Sequence, residues 1–224
     1  FPHSAIKWLL ESNNIVLKDI NYVAVARNPM ANLAAKANIM LKNPTQLFYR
    51  VRGFVQRNQK VWNLTDLIAA SLSVDTTDAK FKVFPVEHHL AHIASSYYTS
   101  HLDQAKALSF DGSGDYVSLM TAECVGTKIK VLKRKFLPAS LGIFYSAMCQ
   151  FIGFDKFGEE YKVMGLAPYG EDVYSEELKQ IITLDKSLFT LNNNYIDIEK
   201  AYRLLNVNEH HKQVLLFPFV AFYF

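Results

Sequence analysis

Residues 105–136 read AKALSFDGSGDYVSLMTAECVGTKIKVLKRKF, and this stretch decides the fold. Ala105 to Phe110 is a short, largely apolar run of the kind that forms a buried strand. Asp111-Gly112-Ser113-Gly114-Asp115 has the composition of a turn, and Tyr116 to Cys124 returns as the second strand of a hairpin. Val125-Gly126-Thr127 turns the chain once more, into a third strand from Lys128 to Phe136. The basic residues of that last strand alternate with Ile129, Val131 and Leu132, which describes a strand with a solvated face rather than a phosphate-tracking patch.

Working outward, helices surround this meander. Apolar positions recur at helical spacing from Pro2 to about Ser12. Ile20 to Ala26 reads as a buried strand. Two helices are expected at about Met30 to Leu41 and Thr45 to Gln59, with Asn43-Pro44 as stop and restart between them. A further helical segment covers Asp66 to Leu72, and Phe81 to Val86 is a short strand whose Pro85 marks the sheet margin. His88 to Tyr98, Leu141 to Ile152 and about Glu159 to Ala167 are helical. After that, short helices and strands alternate, with a turn at Asn192-Asn193-Asn194. Strands interleaved with helices, plus the meander, indicate an α/β fold with a mixed sheet. Phe144, Phe151, Phe154 and Phe157 are expected in the core.

The 224 residues are half hydrophobic and one-fifth charged, the balance of a globular protein. A net charge of +3 gives no argument for nucleic acid or an anionic membrane as partner. The two cysteines, Cys124 and Cys149, form no metal or disulfide framework, so a reducing, cytoplasmic setting is expected. The apolar run from Val214 to Phe224 is far shorter than the roughly 20 residues of a membrane span. Because the chain starts at Phe1-Pro2 and stops in that run, it is expected to be truncated at both ends.

In Glu87-His88-His89-Leu90-Ala91-His92, His88 and His92 stand four residues apart on a helix. That spacing puts both imidazoles on one face, where they can reach one cation. The pair begins at the C-terminal end of a strand, the end at which α/β sheets usually bind ligands. His89 points elsewhere, either supporting the pair or simply packed. His101, His210 and His211 lack such a setting. A carboxylate is the expected third ligand, and Asp111 is the best candidate. The amides of the turn that follows can cradle a phosphate or ribose. Alternatively, the glycines merely supply positive φ in a hairpin.

The motifs HHLAH (88–92), SFDGSGD (109–115) and LPASLGIFYSAMCQFIGFDKFGEEYKVMGLAPYG (137–170) occur in the order and spacing of a known family. The chain resembles the O-carbamoyltransferases of the nodulation and antibiotic-tailoring type, from Phe1 to about Gly170. The resemblance implies residues 1–170 as a partial carbamoyltransferase N-terminal domain, with 171–224 as the start of a following lobe or a divergent tail. It implies an incomplete actin/hexokinase-like (ribonuclease H-like) ATPase-type lobe. It also implies carbamoyl transfer from carbamoyl-adenylate, made from carbamoyl phosphate and ATP in a C-terminal domain, to a hydroxyl of a sugar or natural product. A metal, usually iron, would be held by His88, His92 and Asp111, with a fourth ligand in a later segment. Gly112, Ser113, Gly114 and Asp115 would contact the nucleotide. Glu160 and Lys162 match the family's Glu-x-Lys pattern. Lys162 is expected to contact a nucleotide or carbamoyl oxygen, and Glu160 to orient substrate. The family's His-Asp-Ser-Ala strand, with its expected general base, would precede Phe1, so the chain alone should turn over poorly. Related carbamoyl transfer in tRNA modification or hydrogenase maturation, or a non-catalytic nucleotide-binding remnant, are the alternatives.

Overall fold

The computed structural model describes residues 1–41, 47–156, 158–186, 188–192 and 194–195. The expectations for Asn43-Pro44, Phe157, Asn193, His210, His211 and residues 214–224 lie outside them. The chain divides into two compact units, residues 1–91 and 92–224.

In the first unit, helix α1 (His3–Ser12) leads to strand β1 (Tyr22–Val25). Helices α2 (Leu33–Leu41), α3 (Leu47–Trp62) and α4 (Leu64–Leu72) then precede β2 (Lys82–Pro85). β1 and β2 pair in parallel, Tyr22 opposite Lys82 and Val25 opposite Pro85. Such a pairing requires a long crossover, here the helical segment between the two strands. Leu17, Ile68 and Phe81 form a buried core, against which Ile6, Ile20, Val23, Leu64, Leu72 and Val83 pack. The expectation of a buried β1 is corrected. Alternate residues face outward, with Tyr22 70% exposed and meeting Phe84 edge-on at 5.5 Å. Apolar composition identified the strand, but its outward residues Tyr22 and Ala24 are exposed, and Tyr22 packs across the pair on Phe84 of β2.

In the second unit, β3 (Gln104–Gly114), β4 (Val117–Val125) and β5 (Lys128–Phe136) form an antiparallel meander in that order. β5 begins and ends at the expected residues. Helix α6 (Leu141–Phe151) packs on β3, followed by α7 (Glu160–Leu166), α8 (Ser175–Ile181) and a short hairpin of β6 (Ile182–Thr183) and β7 (Thr190–Leu191). Helix α5 spans His88–Tyr97, and the division between the units falls within it.

β4 is the buried centre: Val117, Ser118, Met120, Ala122 and Cys124 are all at most 2% exposed. β3 is an edge strand, and its expected burial is corrected too. Ser109 is its one buried residue, while Leu108 and Phe110 are 59% and 66% exposed. Among the described residues the parallel and antiparallel strands fall in separate sheets, where a single mixed sheet was expected. Of the expected aromatic core row, Phe144 is buried and Phe154 half-buried, but Phe151 at the end of α6 is exposed. Among the described residues no helix is long and apolar enough to cross a membrane.

Candidate metal centre

α5 starts three residues after β2, so His88 occupies its first turn and His92 its second, on the same face. The Nδ1 of His88 lies 3.3 Å from the carbonyl oxygen of Ala26, just past β1. A carbonyl only accepts, so this contact assigns the proton to Nδ1 and leaves the lone pair of a neutral ring on Nε2. Metal-ligating histidines are oriented in this way by a carbonyl behind them. His89 is fully buried beside His88, ring centroids 5.6 Å apart, and is packed rather than presented.

Asp111 sits exposed on β3, its Oδ2 3.9 Å from the Nε2 of His92. One ligand atom each from His88, His92 and Asp111 lies within 4.8 Å of the others. Two donors bonded to one ion at about 2.0–2.2 Å lie at most about 4.4 Å apart, so side-chain shifts of a few tenths of an ångström close the group around a cation. Two imidazole nitrogens and one carboxylate match the donor set of a three-ligand transition-metal site with open positions. The residues therefore fit the expected ion. A cleft of about 570 Å³ runs between α5 and the free edge of β3, with His92 and Asp111 among its walls and hydroxyls from Ser96, Ser100 and Ser109 along it.

The expected turn at 111–115 is corrected. β3 continues to Gly114, and the β3–β4 register passes from Phe110 opposite Leu119 to Gly114 opposite Val117, skipping residues 111–113. The turn itself is Asp115-Tyr116, both with positive φ (50° and 71°), the two-residue arrangement whose twist suits a hairpin. Gly112 and Gly114 do not supply positive φ. Glycine is instead required across from them, on α6. A Cβ on Gly142 would lie 2.5 Å from the Gly112 nitrogen and 2.7 and 2.8 Å from the Asp111 carbonyl carbon and oxygen. Ser140 caps α6, accepting from Ile143 N at 3.1 Å and donating to the Gly112 carbonyl at 2.7 Å. Neither residue stood out beforehand. Ser140, directly before an apolar helical run, carried a readable N-cap signal, but Gly142 carried none.

Glu160 and Lys162 face different partners. Glu160 accepts from the hydroxyl of Ser146 on α6 at 2.7 Å. Lys162 donates to Glu159, not Glu160, at 2.6 Å, while the other oxygen of Glu159 accepts from Lys156 N at 3.1 Å. These bonds hold the Glu159 carboxyl below the usual carboxylate range, the one from Lys162 contributing most, and the same bond to Glu159 raises the Lys162 ammonium. Residues two apart on a helix point to different faces, whereas i and i+3 meet. Cys149 is buried, and burial first, then the nearby Glu160 charge, pushes its thiol up, away from reactive thiolate character.

A sequence-family profile described as Carbamoyltransferase N-terminus matches residues 1–215, reaching past Gly170. The uncharacterized protein sll1178 of Synechocystis sp. is 29% identical over 213 residues, covering 92% of this chain and 34% of its own length. Nodulation protein NolNO of Sinorhizobium fredii is 30% identical over 177 residues, 79% of this chain and 24% of its own. Nodulation protein NolO of Bradyrhizobium diazoefficiens is 39% identical over 100 residues, 44% and 18% respectively. The chain thus spans about a third or less of the length of these curated relatives. The profile match runs through α5, β3, α6 and α7 alike, and so through every element that carries the histidines, Asp111 and the Glu-x-Lys pair. The chain belongs to the carbamoyltransferase N-terminal family.

Proposed function

We propose that this chain is the transfer lobe of a metal-assisted carbamoyltransferase with an actin/hexokinase-like fold. The observation that carries the reading is the convergence of His88, His92 and Asp111 in a chain of this family. In the proposed reaction, a hydroxyl oxygen of a sugar or natural-product acceptor attacks the carbamoyl carbon of carbamoyl-adenylate. The bond from that carbon to the phosphate oxygen breaks, AMP departs with the electron pair, and the hydroxyl proton passes to a base. Carbamoyl phosphate and ATP would supply the adenylate through a further domain of the longer protein.

His88, His92 and Asp111 would hold a divalent ion, iron first among the choices for this donor set. Bound there, it would offset the negative charge that grows on the departing nucleotide phosphate. The chain's own residues orient the rest. Gly112, Ser113, Gly114 and Asp115, which follow Asp111 in the chain, would meet the ribose or phosphate. Lys162, kept protonated by Glu159, would approach a nucleotide or carbamoyl oxygen, and Glu160, steadied by Ser146, would orient the acceptor. The cleft beside His92 and Asp111 gives room for a small ligand, and the two buried free cysteines suit a reducing, cytoplasmic setting.

Calorimetric titration with a non-hydrolysable carbamoyl-adenylate analogue, with and without Fe²⁺, tests this reading. Binding that needs the ion and is lost in His88→Ala/His92→Ala supports it. Binding indifferent to both, or preferential binding of tRNA over the analogue, refutes it.

A further inference from the structure

Residues 111–113 present a mechanical question. The ladder to β4 skips them, yet Asp111 must hold its carboxylate against His92. What grips this segment is the first turn of α6. Gly142 brings the helix so close that a Cβ would overlap three backbone atoms of Asp111 and Gly112, none of which can rotate aside as a side chain would. Two residues earlier, Ser140 is completely buried, and its hydroxyl donates to the Gly112 carbonyl at 2.7 Å, with the Asp111 carbonyl 3.4 Å away. The same oxygen accepts from Ile143 N, so one side chain ties the helix start to the segment. Ser140 is itself held from below. Ser118, 2% exposed on β4, donates to the carbonyl of Ala139.

We propose that Ser140 and Gly142 are positioning residues that set the Asp111 carboxylate for a divalent cation. This rests on reading His88, His92 and Asp111 as a metal group. A steric contact between backbones has no slack, unlike a surface hydrogen bond. Adding one methyl at residue 142 therefore displaces the aspartate relative to the helix that carries His92. Removing the Ser140 hydroxyl releases the same segment without adding bulk. The two variants disturb Asp111 from opposite directions, one by pushing and one by letting go.

The test is a Co²⁺ titration of the 224-residue chain followed by the metal's visible absorption bands, with circular dichroism as control for folding. Gly142→Ala and Ser140→Ala are each expected to weaken Co²⁺ binding roughly 10- to 100-fold and to alter the band pattern, the range typical for residues that orient ligands. If both bind Co²⁺ with wild-type affinity and wild-type bands, melting lower but otherwise unchanged, the two residues are only structural and the proposal is overturned. If Gly142→Ala does not fold, Ser140→Ala decides by the same readout. Failure of the underlying reading looks different. Wild type without Co²⁺ bands, or His92→Ala binding as tightly as wild type, removes the metal group itself and the proposal with it.

Discussion

β3 and β4 are neighbours in one meander, joined by a two-residue turn, and they have opposite characters. β4 is central and buried along most of its length. β3 is an edge, exposing Leu108, Phe110 and Asp111. The central strand uses both faces for packing over most of its length and leaves little surface for chemistry. The edge strand gives up burial, and its segment at 111–113, which the ladder to β4 skips, can carry a ligand residue provided that another element fixes it. α6 does so. The support therefore lies in buried groups of β4 and α6, and Asp111, the proposed ligand, lies on the strand that they prop up.

The sharpest way to break this contrast is by truncation on the two strands. Met120→Ala, at a site with no exposed surface, should cost about 2–5 kcal/mol in denaturant unfolding. Leu108→Ala should change stability by no more than about 0.5 kcal/mol, because a side chain that is mostly solvated loses little. Equal losses would mean that the free edge of β3 is covered in solution. Next in size, Ser140→Ala should cost about 1–2 kcal/mol, as a cap is lost and the Gly112 carbonyl loses its donor. A loss below a few tenths would show that α6 does not depend on this residue.

The smallest effect concerns pH and the α7 pair. Glu159 has its folded pKa lowered, so the stability it adds is fully present above its unfolded value of about 4.3 and fades as pH falls through the folded one. Lys162 has its folded pKa raised, so its share is present below its unfolded value of about 10.4 and fades as pH rises through the folded one. Urea midpoints of wild type and Glu159→Gln should therefore differ most between those limits and converge outside them. A difference independent of pH would assign the effect to packing.

Much of this was legible beforehand. β5 and α5 were bounded to within a residue because alternation and i, i+4 spacing are local signals. His88, His92 and Asp111 were named from spacing and family resemblance, and the structure brings them together. What stayed hidden depends on long-range placement. Leu108 and Phe110 look like core residues until β3 is known to be an edge strand. The glycines of 111–115 look like turn residues until positive φ is found at Asp115 and Tyr116. Gly142 looks like a weak point in a helix until the backbone facing it is known. Glu159, not Glu160, holds Lys162, a distinction that required the helix start at Glu160 to be fixed first.

The central claim is that the exposed edge of β3 and the start of α5 together bind a divalent ion. Anaerobic calorimetric titration of Fe²⁺ into wild type and into His88→Ala/His92→Ala measures this directly. The account predicts saturable binding of one ion per chain in wild type and its loss in the double variant. Equal binding by the two proteins would contradict it.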